Sequence, residues 1–328
     1  MAGFNIFKYA NRILWIVILC ILCACKNNST QPDTISKEVP HEERWGIYAL
    51  DPASETVKLI FTSSRDINFL HLNHKGDQFV FSRLMDGDED KDEEICVVDS
   101  DGTGFRRLTE NQVRDLYPVW SPDDTEILFL SFPGSTLDIY KMNADGSNRR
   151  MFFDSGFHDA DIDWQAETIV FTSRSKIWTI NQDGTNPASV TDPPRRGEWG
   201  NAVLPFGDYD PRLSPDGTVV VFERMEADST VHGNYNLFSI NTDGTNENRL
   251  TDNGYTQGIA AWSHSGEELV YMVSAIGDQG VYDLYIMNTD GSNNHNITPE
   301  YFPINFLCES PQFSLNDSTI YFVGEWWE

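Results

Sequence analysis

The stretch LFSINTDGTNENRLT, residues 237–251, decides the fold. Apolar and polar residues alternate from Leu237, the signature of a half-buried strand. Asp243 and Gly244 follow, then a second short run ends at Thr251. An Asp-Gly pair between two alternating runs is a hairpin signal, because the turn needs residues that tolerate positive φ.

The same pattern recurs four more times. The copies are ICVVDSDGTGFRRLT from Ile95, IYKMNADGSNRRMFF from Ile139, IWTINQDGTNPASVT from Ile177 and LYIMNTDGSNNHNIT from Leu284. The turn aspartates are Asp101, Asp145, Asp183, Asp243 and Asp290, most of them at steps close to the roughly 40–45 residues of a propeller blade. A second hairpin precedes each copy. Its best forms are PVWSPDDTEILFL at 118 and PRLSPDGTVVVFE at 211, with looser ones at 260, 70, 161 and 311. Two hairpins per repeat predict four antiparallel strands per blade.

One repeat is split. PQFSLNDSTIYFVGEWWE at the C-terminus supplies two strands, and WGIYALDPASETVKLIFTS, residues 45–63, supplies the missing pair. The expected fold is therefore all-β: a six-bladed β-propeller whose last blade is closed by N- and C-terminal strands. Such closure removes the open sheet edges that invite aggregation. Two aligned columns are expected to be core. One reads Tyr48, Cys96, Tyr140, Trp178, Phe238, Tyr285; the other reads Leu72, Trp120, Trp164, Leu213, Trp262, Phe313.

Upstream of the repeats, Lys8 and Arg12 precede the apolar run ILWIVILCILCA, residues 13–24, which is shorter than a bilayer-spanning helix. A basic start, a short apolar core and small residues describe a secretory signal. The run ends LCAC and resembles a bacterial lipobox, which implies lipidation of Cys25. The domain reading is a signal peptide over 1–24, a polar, flexible lipid-anchored tether over 25–44, and the propeller over 45–328. The mature chain then keeps only Cys96 and Cys308, so no disulfide framework is expected. The net charge of −28 argues against sequence-independent nucleic-acid binding, which needs a basic surface.

The turns of the WSPDG type followed by hairpins of the IYKMNADG type resemble the repeats of TolB-type propellers, over residues 45–328. The resemblance implies the six-bladed ring and a place in the cell envelope. TolB itself carries a separate α/β domain before its propeller, and only about twenty residues separate Cys25 from the first strand here. The chain is thus more similar to the lipid-anchored proteins of the wider TolB-like class, which implies the outer membrane facing the periplasm, with surface display as the alternative.

For function, the loops between strands two and three and between blades vary widely, whereas the hairpin turns on the opposite face are nearly uniform. Variable loops on a rigid scaffold commonly carry function. Candidate partner-binding residues are Arg195, Arg196, Trp199 and Phe206 in the loop 192–208, Tyr301 and Phe302 in the loop 299–308, and Trp326 and Trp327 at the C-terminus, since Arg and Trp favour binding hot spots. A membrane-anchored, non-catalytic module binding an envelope protein or glycan is the first reading. The alternative is a propeller enzyme, a polysaccharide lyase or hydrolase working at the channel mouth. No Gly-x-Ser-x-Gly elbow, P-loop or dinucleotide fingerprint is present. Only His71 and His158 approach the channel in the alignment, and neither is paired with a carboxylate there. Asp115, Asp161, Asp210 and Glu309, near the channel entrances, are numerous enough to bind a cation but are expected as solvated rim or turn-capping residues. The run MDGDEDKDEEI, residues 85–95, does not fit an EF-hand, but Asp86, Asp88, Asp90, Asp92 and Glu94 are a candidate Ca2+ site or else a solvated loop.

Overall fold

A computed structural model describes residues 38–85, 93–196, 206–225, 235–274 and 282–327. Cys25, Asp86, Asp88, Asp90, Asp92 and Trp199 lie outside the described residues. Six four-stranded antiparallel sheets form a ring, as the repeat predicts.

β1 (Trp45–Asp51) and β2 (Thr56–Ser63) come first and belong to the last blade. Blade one is β3 (Ile67–Leu72), β4 (Gln78–Leu84), β5 (Glu93–Asp99) and β6 (Arg106–Arg107). Blade two is β7 (Asp115–Trp120), β8 (Glu126–Ser131), β9 (Asp138–Asn143) and β10 (Arg150–Phe153). Blade three is β11 (Asp159–Gln165), β12 (Thr168–Ser173), β13 (Lys176–Asn181) and β14 (Ala188–Ser189). Blade four is β15 (Gly207–Leu213), β16 (Val219–Met225), β17 (Tyr235–Asn241) and β18 (Asn248–Arg249). Blade five is β19 (Thr256–Trp262), β20 (Glu268–Ser274), β21 (Tyr282–Asn288) and β22 (His295–Asn296). Blade six joins β23 (Phe306–Phe313) and β24 (Ile320–Trp326) to the first two strands, in the order β2-β1-β24-β23.

The two termini lock this last blade. Trp45 pairs with Glu325 and Leu50 with Ile320 along the seam between β1 and β24. Tyr48 is fully buried and stacks on Phe322 at 5.5 Å, with Phe306 edge-on at 5.1 Å. Trp326 donates its indole N–H to the Tyr48 hydroxyl at 3.1 Å, stacks on His41 and packs on Phe306. Aromatic pairs of this kind add to the area they bury.

The expected core columns are packed between blades. Tyr48, Cys96 and Phe238 are buried, and Tyr140, Trp178 and Tyr285 are partly so. Burial pushes the Cys96 thiol up to about 12, which makes it an inert core group. Leu72, Trp120, Trp164, Leu213 and Phe313 are buried at the ends of the inner strands.

The turns explain their own sequence. In the Asp-Gly hairpins the Asp side chain accepts the amide proton two residues on, as Asp101 does from Thr103 and Asp243 from Thr245, each at 2.9 Å. Gly102 and Gly244 take φ of 89° and 82°, which a side chain resists. The outermost strands are shorter than a full hairpin arm, two residues each in β6, β14, β18 and β22. A Thr hydroxyl ends the pairing: Thr109, Thr191, Thr251 and Thr298 each accept the backbone N–H that begins the neighbouring strand pair, at 2.7–3.0 Å. Short outer strands blunt the exposed edges.

Candidate functional site

The inner strands wall the central axis, and all six depart from the same regular pattern. Phe69, Tyr117, Asp161, Asp210, Ile259 and Ser310 each adopt a left-handed backbone with φ between 47° and 56°. A register shift brackets each of them, as between Asn68 and His71 or Tyr209 and Arg212. These are bulges, which re-aim side chains and break the two-residue alternation. Left-handed backbone costs a residue with a side chain about 1–2 kcal/mol. Six such residues in one ring mark the axis as the place where the fold holds local strain.

The bulges present two tiers of side chains. His71, Asp163, Arg212, Ala261 and Gln312 form the upper tier and line a pit of 260 Å³. The lip comes from the uniform hairpin turns, through Asn73, His74, Pro215, Ser263 and His264. The concave site thus opens on the face with short turns, opposite the variable loops.

The lower tier closes the pit. Tyr117 of blade two hydrogen-bonds Asp210 of blade four, and Arg212 donates to the same hydroxyl at 3.0 Å. Blade three lies between these two blades, so the contacts cross the axis. Phe69 packs on Tyr117 at 4.1 Å. The Asp161 carboxylate accepts the Asp210 amide proton at 3.4 Å. Glu223 of β16, 1 % exposed in relative terms, accepts the Ile259 amide proton at 2.6 Å. Gly258 permits that approach, because a Cβ there would stand 2.3 Å from the Glu223 oxygen.

Electrostatically the axis is crowded with acid. Burial raises the carboxyls of Asp161, Asp210 and Glu223, and the neighbouring Asp210 charge raises Glu223 further. Asp163 is different. Burial pushes it up, but the His71 hydrogen bond and the Arg212 charge more than offset this and hold it low. Its carboxylate accepts the Leu213 amide proton at 2.8 Å and stands 3.8 Å from His71 Nε2. Burial lowers the His71 imidazole despite that carboxylate. His71 Nδ1 accepts the Trp120 amide proton at 3.5 Å, so the neutral ring carries its proton on Nε2, toward Asp163.

Several expectations change here. His71 does have a carboxylate partner, Asp163, which an unbroken strand alternation could not place beside it. His158 does not line the pit; its Nδ1 accepts the Leu137 amide proton at 3.1 Å and its ring stacks on Phe132. Asp161 and Asp210 sit inside the axis rather than on a solvated rim. Asp115 is fully buried and held by Ser131, Asn111 and Arg149. Glu309 pairs along β23 with Val323 of β24 and is partly buried. Arg212, Asp163, Glu223 and Tyr117 were not singled out from the sequence. The only signal was that His71, Asp163 and Arg212 share one repeat column.

The other candidates are placed as follows. Glu94 is fully buried and accepts from the Asn111 amide at 2.7 Å and from Arg107 at 3.2 Å, so it faces a blade junction and is committed there. Arg195 lies over the Phe206 ring at 3.6 Å, and Phe206 packs on Tyr209, Met225 and Tyr235. Arg196 pairs with Asp192. Tyr301 and Phe302 pack with Phe306 in the last blade. Trp326 is engaged by Tyr48, and Trp327 is half-buried beside Met272, Tyr282 and Leu307. No helix among the described residues is long and apolar enough to cross a membrane.

Comparison with known proteins agrees with this architecture. Residues 73–266 match the family described as TolB beta propeller domain. The chain is 28 % identical over 190 residues to the uncharacterized protein Atu1656 of Agrobacterium fabrum, a match that spans 54 % of this chain and 61 % of that protein. Among solved structures it resembles a TolB-like protein from Agrobacterium tumefaciens, with a TM-score of 0.65 at 13 % identity over 87 % of this chain and 99 % of that one. TolB from Acinetobacter baumannii aligns with a TM-score of 0.58 at 17 % identity, covering 77 % of this chain and 62 % of that one. At these identities the likeness is one of fold.

Proposed function

The chain belongs to the TolB β-propeller domain family, and we propose that it is a non-catalytic binding module of the cell envelope, tethered through lipid on Cys25, that seats a protein segment in the axial pit. The pit supports binding because its floor is closed by the contacts of Tyr117 with Asp210 and Arg212. It offers an imidazole at His264 and an amide at Gln312 around its mouth. A few oriented polar groups in a concave site are what recognition of one inserted side chain or chain end requires.

One observation carries the choice of binding over catalysis. A His beside an Asp in a pit is the usual start of an acid–base reading. Here both ring nitrogens of His71 face the wall, Nδ1 to the Trp120 amide and Nε2 to Asp163. No nitrogen is left to exchange a proton with a bound molecule.

A photo-reactive residue placed at 264 or at 312 tests the proposal in intact cells. Protein adducts from these positions, and none from 183 on the outer hairpins, are the expected result. Adducts confined to positions 195 and 206 would move the partner to the variable face. Lipid tethering has its own test: Cys25→Ala should leave the membrane fraction, and a variant that stays bound would remove the anchor from the proposal.

A further inference from the structure

Several junctions between neighbouring blades carry polar groups at the start of the third strand, of the next inner strand, or of both. At the first junction these are Glu94 and Asp115. Arg107 pairs with Glu94, Arg149 pairs with Asp115, and Asn111 bridges the two. At the third junction Arg224 grips Asp208 through two hydrogen bonds of 2.6 and 2.9 Å. At the fourth the groups are neutral, Asn236 and Gln257, with the Thr251 hydroxyl between them at 3.5 and 2.9 Å. At the fifth Asp283 has Asn296 as a donor at 3.3 Å.

The second junction differs. Asp138 and Asp159 meet there, and Asp154 joins them, with carboxylate oxygens of all three within 4.8 Å of one another. Asp159 is fully buried and Asp138 is 4 % exposed. The repeat explains why they lack a counter-charge. The column that holds Arg107 in blade one and Arg249 in blade four is Met151 in blade two. The column of Thr109, Thr191, Thr251 and Thr298 is Phe153.

What donors remain do not fill the site. Ser155 gives Asp159 its amide and hydroxyl protons at 3.0 and 2.6 Å. Gly156 gives its amide proton to Asp154 at 2.6 Å. Thr136 is a hydrogen-bonding neighbour of Asp138, and His158 is the basic group beside it. Asp138 Oδ1 is nevertheless buried with no hydrogen-bond partner. No arginine or lysine pairs with any of the three among the described residues. A buried acceptor without a donor is costly, and a carboxylate more so.

We propose that the Asp138–Asp154–Asp159 cluster is a Ca2+ site that clamps blade two to blade three. Three carboxylates supply up to six oxygens, and the hard, large calcium ion takes six to eight oxygen ligands in flexible geometry. The ion takes the place of the arginines that hold Glu94, Asp115 and Asp208.

The test is thermal unfolding of the full chain in EDTA and in CaCl2, for the wild type and for D138N and D154N. Binding to the folded state alone raises Tm, by roughly 5 °C at hundredfold saturation for a domain of this size. The wild type should show the rise, and both variants should lose most of it. In EDTA, D138N should melt at or above the wild type, since it removes an unpaired charge without changing shape; this shows that the variant folds. A variant carrying Asn at 86, 88, 90 and 92 should keep the rise. Absence of any rise in the wild type overturns the proposal, as does a rise in D138N equal to that of the wild type.

Discussion

The hydroxyl of Tyr117 in blade two meets the carboxylate of Asp210 in blade four, reaching over the axis of the ring past the intervening blade. Arg212 joins the same hydroxyl, so one phenol ties together an acid and a base from a distant sheet. The contact seals the pit from below and braces blades that share no sheet. Tyr117→Phe keeps the ring and removes only the hydroxyl. It leaves Asp210 and Arg212 without their shared partner, which should cost about 1–3 kcal/mol. Urea unfolding measures this; an unchanged midpoint would mean the bond contributes nothing to closure.

Glu223 gives a prediction in pH. Burial and the Asp210 charge raise it well above its ordinary 4.5. The folded state therefore keeps a proton that the unfolded chain releases near pH 4.5. This favours folding fully below that pH and the benefit fades as pH rises through the folded value. Glu223→Gln retains an oxygen for the Ile259 amide proton and cannot ionise. It should match the wild type at pH 4.5 and be the more stable of the two at pH 8. Melting curves at the two pH values decide it.

His71 acts with the opposite sign. Its depressed imidazole stays neutral in the fold while the unfolded ring takes a proton near 6.5. Stability that is complete above pH 6.5 is lost as pH falls through the folded value. His71→Asn keeps an acceptor for the Trp120 amide and has no titration. Between pH 7.5 and pH 5 the wild type should lose more Tm than the variant, and equal losses would remove His71 as the sensor.

Trp326 separates closure from partner binding. Its indole bonds Tyr48, stacks on His41 and packs on Phe306. Trp326→Ala should lower stability by about 3 kcal/mol, in the range of aromatic truncations. Proteolysis should then cut first near residues 38–44, where His41 loses the ring it stacks on. A variant as stable as the wild type would free Trp326 for a role at an interface.

The ring was legible because its cause is local and repeated. Asp-Gly turns, alternation and the split last repeat each state the same geometry, and the terminal strands pair as their sequence requires. The axis was not legible. Alternation would place Phe69 and His71 on one side and Leu70 on the other, but the left-handed residue in every inner strand changes which side chains meet. Contacts such as that of His71 with Asp163 join residues from different blades, and no spacing along one strand encodes them. Trp326 reads in sequence as a candidate for partner binding, yet its neighbours include residues 41 and 48.

The seam between β1 and β24 also sets a timetable. Trp45 emerges in synthesis long before its partner Glu325. Until then the first hairpin has no sheet to join, and blade one has no neighbour on one side. Pairing across so long a stretch of chain is slow, and open strands are exposed to other chains while they wait. The chain as it is made therefore passes most of its assembly as an open arc, and β24 turns that arc into a ring.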